Sequence, residues 1–185
     1  MQSSERNSSS TILYRNCPVF IDPRSNKLGA RVLSTLEKLH LTIKKLNLKI
    51  IENEIYINIA HQNGIPVERI NDLKNQLFGL EANFEELKAI DFKKGCYVGQ
   101  ENTARIKLKN KLSKRLFPIE IIDGKLNEND AIFANDTEIG KVLINDDYPF
   151  ALIKFLDKNF NKDKIFKCKN GSIKVLIPDW LEKKS

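Results

Sequence analysis

Two hydrophobic rhythms divide the chain. Between residues 36 and 46, apolar side chains recur at Leu36, Leu39, Ile43 and Leu46. That is close to the 3.6-residue period of an amphipathic helix, with Ser34 or Thr35 placed to cap it. Before it, residues 18–22 form a short apolar extended run ended by Asp22-Pro23-Arg24, and Leu28, Ala30 and Val32 alternate like a strand. Ile51, Ile55, Ile57 and Ile59 satisfy both periods. Gly64 followed by Pro66 favours a helix ending near residues 61–63, while the β-branched richness keeps a strand open. Residues 66–79 read as a turn and a helix-like segment, Leu80-Glu81-Ala82-Asn83 follows, then a short helix through Leu87, and residues 92–100 read as a Lys- and Gly-bearing loop.

Past Lys111 the rhythm shortens. Apolar runs at 116–122, 131–134, 138–144, 150–156, 165–168 and 173–177 are punctuated by Asp123-Gly124, Asn135-Asp136, Asn145-Asp146-Asp147 and Asn170-Gly171. Short runs between hairpin-type turns predict a small antiparallel barrel. The fold class is therefore α+β: a flexible lead-in over 1–16, a mixed αβ domain over 17–111, and a C-terminal antiparallel β-barrel over 112–185.

The 185 residues suffice for one large domain or two small ones, and no apolar run approaches the length of a spanning helix. Residues 1–10 are Ser-rich and lack an apolar core, so they do not read as a secretory signal, and no amphipathic stripe marks them as a transit peptide. Cys17, Cys96 and Cys168 are three widely spaced thiols with no CxxC pair, and His40 and His61 have no Cys or carboxylate neighbours at ligand spacing. Neither a structural metal site nor a disulfide framework is expected, and a reducing, cytosol-like compartment fits. The charge is informative by its location. Residues 93–115 hold eight bases and one acid, a net +7 that equals the charge of the whole chain. This patch suits an anionic partner, and Arg105, Lys107, Lys109 and Lys111 alternate with Ile106, Leu108 and Leu112, which on a strand would give one basic and one apolar face.

The candidate chemistry lies in Lys94-Gly95-Cys96-Tyr97-Val98-Gly99-Gln100-Glu101. Two glycines allow unusual backbone geometry and close approach, and neighbouring Lys favours the reactive thiolate of Cys96. The residues from Gly99 toward Ala104 are suited to open a helix. A lone cysteine in a turn reads equally as a small buried apolar side chain.

As a string, this segment resembles the KGCYxGQE signature of the YgfZ family, relatives of the aminomethyltransferase T-protein of glycine cleavage. Asp22-Pro23-Arg24 with Leu28-Gly29, Gly64-Ile65-Pro66, Ala104-Arg105, Lys114-Arg115-Leu116 and Pro178-Asp179-Trp180 extend the resemblance from about Val19 to Trp180. The resemblance implies a tetrahydrofolate-binding accessory protein for assembly or repair of iron–sulfur enzymes, linked indirectly to tRNA modification. It implies a fold of αβ domains around a folate-sized hole, closed by a barrel. It makes Cys96 the functional thiol and places Lys94, Gly95, Tyr97, Gly99, Gln100, Glu101 and Arg105 around the folate.

Leu80-Glu81-Ala82-Asn83 is similar to the L-E-A-G segment of the T-protein, which makes Glu81 the pterin anchor, with Asn83 in place of the glycine. Family members carry a further N-terminal αβ portion, so the expected partners are iron–sulfur clients or assembly factors, and either such a portion or a second copy of the chain. The expected location is the cytoplasm of a bacterium or the mitochondrial matrix of a eukaryote. An aminomethyltransferase-like folate enzyme and a basic RNA-binding module are the competing readings.

Overall fold

The computed structural model describes residues 11–93, 95, 100–108 and 112–182. It forms two compact units, the first ending at Tyr56 and the second running from Ile57.

In the first unit, β1 (Ile12–Tyr14), β2 (Cys17–Ile21) and β3 (Ala30–Val32) form an antiparallel sheet. Tyr14 pairs with Cys17 across Arg15 and Asn16. Both turn residues have positive φ, 53° and 60°. Two left-handed residues give the two-residue turn whose twist matches a hairpin. Ordered pairing thus begins at Ile12, inside the stretch read as a lead-in, because this turn closes a hairpin that the polar composition around it concealed. Thr35 caps α1 (Leu36–Leu46) by accepting the Lys38 N–H, and Asn47 ends it in the left-handed region. No residue of α1 is buried, and every residue of β3 is exposed. The unit is instead pinned by polar contacts on Asp22, which is 1% exposed. Its carboxylate accepts the Arg24 N–H (3.0 Å), Arg24 Nε (3.1 Å) and Nη2 (2.9 Å), and Arg31 Nε (2.6 Å). Burial alone would oppose ionisation, but these hydrogen bonds outweigh it and hold Asp22 well below the usual carboxylate range. Both guanidiniums also donate to the Tyr56 hydroxyl.

The helix reading of the isoleucine-rich stretch holds. α2 (Asn53–Gln62) buries Ile57, Ala60 and His61. Gly64 follows at φ 71°, and a Cβ there would stand 2.8 Å from Pro178 Cγ, so only glycine fits. Residues 70–73 make one 3-10 turn, and residues 84–87, where a short helix was expected, continue the turns that begin before them. Left-handed residues at Asn75, Asn83 and Lys88 interrupt any continuous helix there.

The barrel is closed and antiparallel, with strands β4 (Arg115–Gly124), β5 (Ala131–Ala134), β6 (Thr137–Ile144), β7 (Phe150–Ile153), β8 (Ile165–Cys168) and β9 (Gly171–Val175) in the order β4-β7-β6-β5-β8-β9. Asn135 and Asp136, both at positive φ, turn β5 into β6. Phe117, Ile119, Val142, Ala151, Ile153 and Ile173 fill the interior. Leu116, Leu143, Phe150 and Leu152 alternate with them and point outward, where Leu73 and Leu77 cover them. This double burial explains the continuous apolar runs of β4, β6 and β7. A final short helix, α4 (Asp179–Glu182), carries Trp180, whose indole N–H donates to the Asn63 carbonyl at 3.0 Å.

Candidate functional site

The signature segment leads into α3 (Gln100–Leu108). Lys94, Cys96, Tyr97 and Gly99 lie outside the described residues, as does the side chain of Gln100. Gly95 is exposed, and a Cβ there would meet nothing within 4 Å. Glu101 stands in the first turn of α3, and Arg105, one turn on, is exposed. The carboxylate of Glu101 and the bases Arg105 and Lys107 follow the polarity of the helix dipole. The strand alternative for residues 105–108 is thereby corrected. The helix continues through Leu108, so Arg105 and Lys107 do not share one face of a strand; the two-residue alternation of charge did not reflect the backbone.

Lys107 pairs with Glu85 and stands 5.4 Å from the Phe92 ring centroid. Arg115, counted by sequence in the same basic patch, is 8% exposed and paired inward with Glu86 at 2.9 Å. Two of the eight bases of the patch are therefore neutralised locally, and the surface offered to an anion is smaller than the sequence suggests.

Glu81 is half-buried. Its Oε2 accepts the Phe78 N–H at 2.9 Å, and its backbone carbonyl accepts the Leu116 N–H at 2.8 Å. The same turn therefore both orients the carboxylate and is tied to the first residues of β4. Its second carboxylate oxygen has no protein partner among the described residues, so the group retains acceptor capacity for adjacent N–H donors.

Asn83 closes the Leu80-Glu81-Ala82-Asn83 turn in a conformation that glycine adopts freely. Its φ is 62°, the left-handed region that asparagine tolerates better than other side chains. It is 0% exposed, donates Nδ2 to the Leu116 carbonyl at 2.7 Å, and accepts Arg115 Nη1 at 3.1 Å. Asn83→Gly keeps the backbone and loses two hydrogen bonds, whereas Asn83→Ala also meets the left-handed penalty. Alanine should therefore be the less stable variant by about 1–2 kcal/mol in urea denaturation.

Asn83, Glu86 and Arg115 form a network that the sequence reading missed. The Arg115 guanidinium centre stands 5.4 Å from the Phe155 ring centroid and 5.9 Å from that of Trp180. The available signal was an arginine heading an otherwise apolar strand, a position where burial requires a carboxylate partner.

A separate cleft of about 820 Å³ is lined by His61, Glu120, Asp146, Asp147, Lys162 and Lys174 among others, and by none of the described sequence candidates. His61 is 7% exposed, lies 2.9 Å from the Pro149 carbonyl through Nε2, and meets the Phe150 ring edge-on at 5.0 Å. The carbonyl can only accept, which fixes the proton on Nε2. Burial lowers the His61 pKa from its usual 6.5, opposed by the Pro149 bond and by Asp146. The unfolded chain then binds the extra proton more readily, so stability falls as pH drops through and below that value. Denaturation midpoints measured from pH 7.5 to 5 should decline for the natural protein and decline less for His61→Gln.

Of the two cysteines described, Cys168 is half-buried and pushed up to about 11 by burial and by Asp130. Burial and Asp130 thus disfavour its thiolate at neutral pH. Among the described residues, no group of three or more His, Cys, Asp or Glu side chains is arranged to hold a metal, and no helix is long and apolar enough to cross a membrane.

No protein-family profile matches the chain. Individual relatives do. The chain is 34% identical over 104 residues to the mitochondrial iron–sulfur cluster assembly factor IBA57 homologue of Dictyostelium discoideum, covering 56% of this chain and 26% of that protein. It is 34% identical over 118 residues to the mitochondrial iron–sulfur cluster assembly factor IBA57 of Mus musculus, covering 63% and 30%. The Homo sapiens counterpart is 32% identical over 120 residues, covering 64% and 31%. The match takes in about a quarter to a third of the length of these relatives.

Proposed function

We propose that the chain is an accessory factor in the assembly or repair of iron–sulfur enzymes, acting through the Cys96 thiol with tetrahydrofolate as its ligand. The observation that carries the reading is the complete KGCYxGQE string at residues 94–101, joined to relatives that are themselves named iron–sulfur cluster assembly factors. In this reading the cluster is cargo or client property. In this reading the chain is YgfZ-like, Glu81 pairs with the pterin through its carboxylate, and Gly95, Gln100, Glu101 and Arg105 with Lys94, Tyr97 and Gly99 surround the folate. Glu81 suits the part because its turn is anchored to β4 while its second carboxylate oxygen stays available. Partners are iron–sulfur client enzymes or assembly factors, together with a further αβ portion or a second copy to complete the folate cavity. The mitochondrial relatives support a matrix location for a eukaryotic chain, and in this reading a bacterial one would act in the cytoplasm, where the tRNA-modification link belongs.

The test is genetic and calorimetric. In a strain lacking the gene, iron–sulfur enzyme activity should be restored by the natural chain and not by Cys96→Ala; equal rescue by both rejects the thiol's role. Titration with tetrahydrofolate should give saturable heat that Glu81→Gln weakens tenfold or more. Saturable heat unchanged in Glu81→Gln rejects the pterin anchor.

A further inference from the structure

We propose that a cavity of about 300 Å³, bounded by Leu80, α3 and the barrel, binds a small uncharged molecule that pairs an apolar body with a carbonyl-type oxygen. The proposal stands independently of the assembly-factor reading.

The walls decide the ligand class. Leu80, Ile106, Leu112, Phe155 and Leu156 supply apolar surface, and among the described residues the charged lining groups are Glu85, Glu86, Lys107 and Arg115. Those four charges are matched within the wall: Lys107 pairs with Glu85, and Arg115 with Glu86. Among the described residues a charged ligand would meet no surplus counter-charge, and it would lose its hydration on entry. One donor is left over. Arg115 is more than nine-tenths buried, and its Nε has no hydrogen-bond partner among the described residues. The guanidinium cannot turn to relieve this, because Nη1 is held by Asn83 and Nη2 by Glu86. A buried, charged donor fixed in direction and lacking an acceptor is a prepared half of a hydrogen bond. A neutral carbonyl oxygen completes it while the apolar remainder of the molecule lies against Leu80, Ile106 and Phe155. The volume is at the low end for ligand sites, which limits the occupant to a fragment-sized molecule.

The probe is benzamide, compared with benzoate and toluene, which share its ring but carry a charge or lack the oxygen. Methyl resonances of Leu80, Ile106, Leu112 and Leu156 are followed by NMR on the full chain. Benzamide should shift them saturably with a Kd of roughly millimolar, as expected for so small a ligand. Benzoate and toluene should bind at least fivefold more weakly. Leu156 is 66% exposed, so Leu156→Trp is compatible with the fold and should obstruct the cavity, weakening benzamide tenfold or more. Methyls that stay unmoved to the solubility limit, equal responses to all three probes, or tighter binding of benzoate would overturn the proposal. The wild-type comparison decides even if Leu156→Trp fails to fold.

Discussion

Arg115→Ala should lower the unfolding free energy by about 3–5 kcal/mol, the usual cost of removing one partner of a buried ion pair. The Glu86 side chain is 2% exposed and loses its guanidinium at 2.9 Å. Asn83 loses the donor to its carbonyl oxygen, and the cation disappears from beside Phe155 and Trp180. The loss should be concentrated in one place, because the network joins the turn at residues 80–83 to the start of β4 and the C-terminal tryptophan. The discriminating comparison is the double variant Arg115→Met with Glu86→Leu. Replacing both charges by apolar groups should recover much of the loss, since the cost lies in the uncompensated carboxylate rather than in the missing attraction. Equal instability of the double and single variants in guanidinium melts would show that the arginine acts through its packing alone.

Phe117→Ala should cost a similar amount, about 3–5 kcal/mol, by a different mechanism. Phe117 is 0% exposed at the centre of the barrel, stacked with Phe160 at 6.3 Å between centroids and edge-on to Phe155 at 6.5 Å. Phe160 in turn stacks on Phe166 at 5.7 Å, so the truncation opens a void beneath an aromatic row rather than beside a single neighbour. A closed barrel has no free edge by which strands can slide together to fill it. The measurement is the denaturant midpoint. Phe117→Leu should retain more than half of the lost stability, and an alanine variant within 1 kcal/mol of the natural protein would show that the barrel relaxes.

The barrel was legible because its signal is local. Two-residue turns such as Asn135-Asp136 and alternating apolar positions specify hairpins without reference to the rest of the chain. Helix α2 was legible through its stop at Gly64, and the Thr35 cap through its residue type. The turns through residues 84–87 were not, because Asn83 and Lys88 flank them in left-handed conformations, and the tertiary hydrogen bonds of Asn83 to Leu116 and Arg115 are contacts that propensity does not record. The strand-like alternation of residues 105–108 misled for a related reason: it reflects alternating residue types on a helix of low amphipathicity. Arg115 shows the same limit. Its charge placed it in a surface patch, whereas its partner Glu86 is distant in sequence and visible only once the turn is folded. The signature string and Glu81 are candidates that the sequence alone supplies, while the Asn83–Arg115–Glu86 network emerges only in the folded chain.

The absence of burial along α1 has a thermodynamic corollary. A helix of eleven residues gains little from its own hydrogen bonds, and its Leu36, Leu39 and Leu46 side chains are all exposed. The amide protons of that helix should therefore exchange with solvent long before those of the closed barrel, and unfolding should register as two transitions of unequal cooperativity. A single melting temperature would describe the barrel and leave the first fifty-odd residues unaccounted for, so calorimetry on this chain has to be interpreted unit by unit.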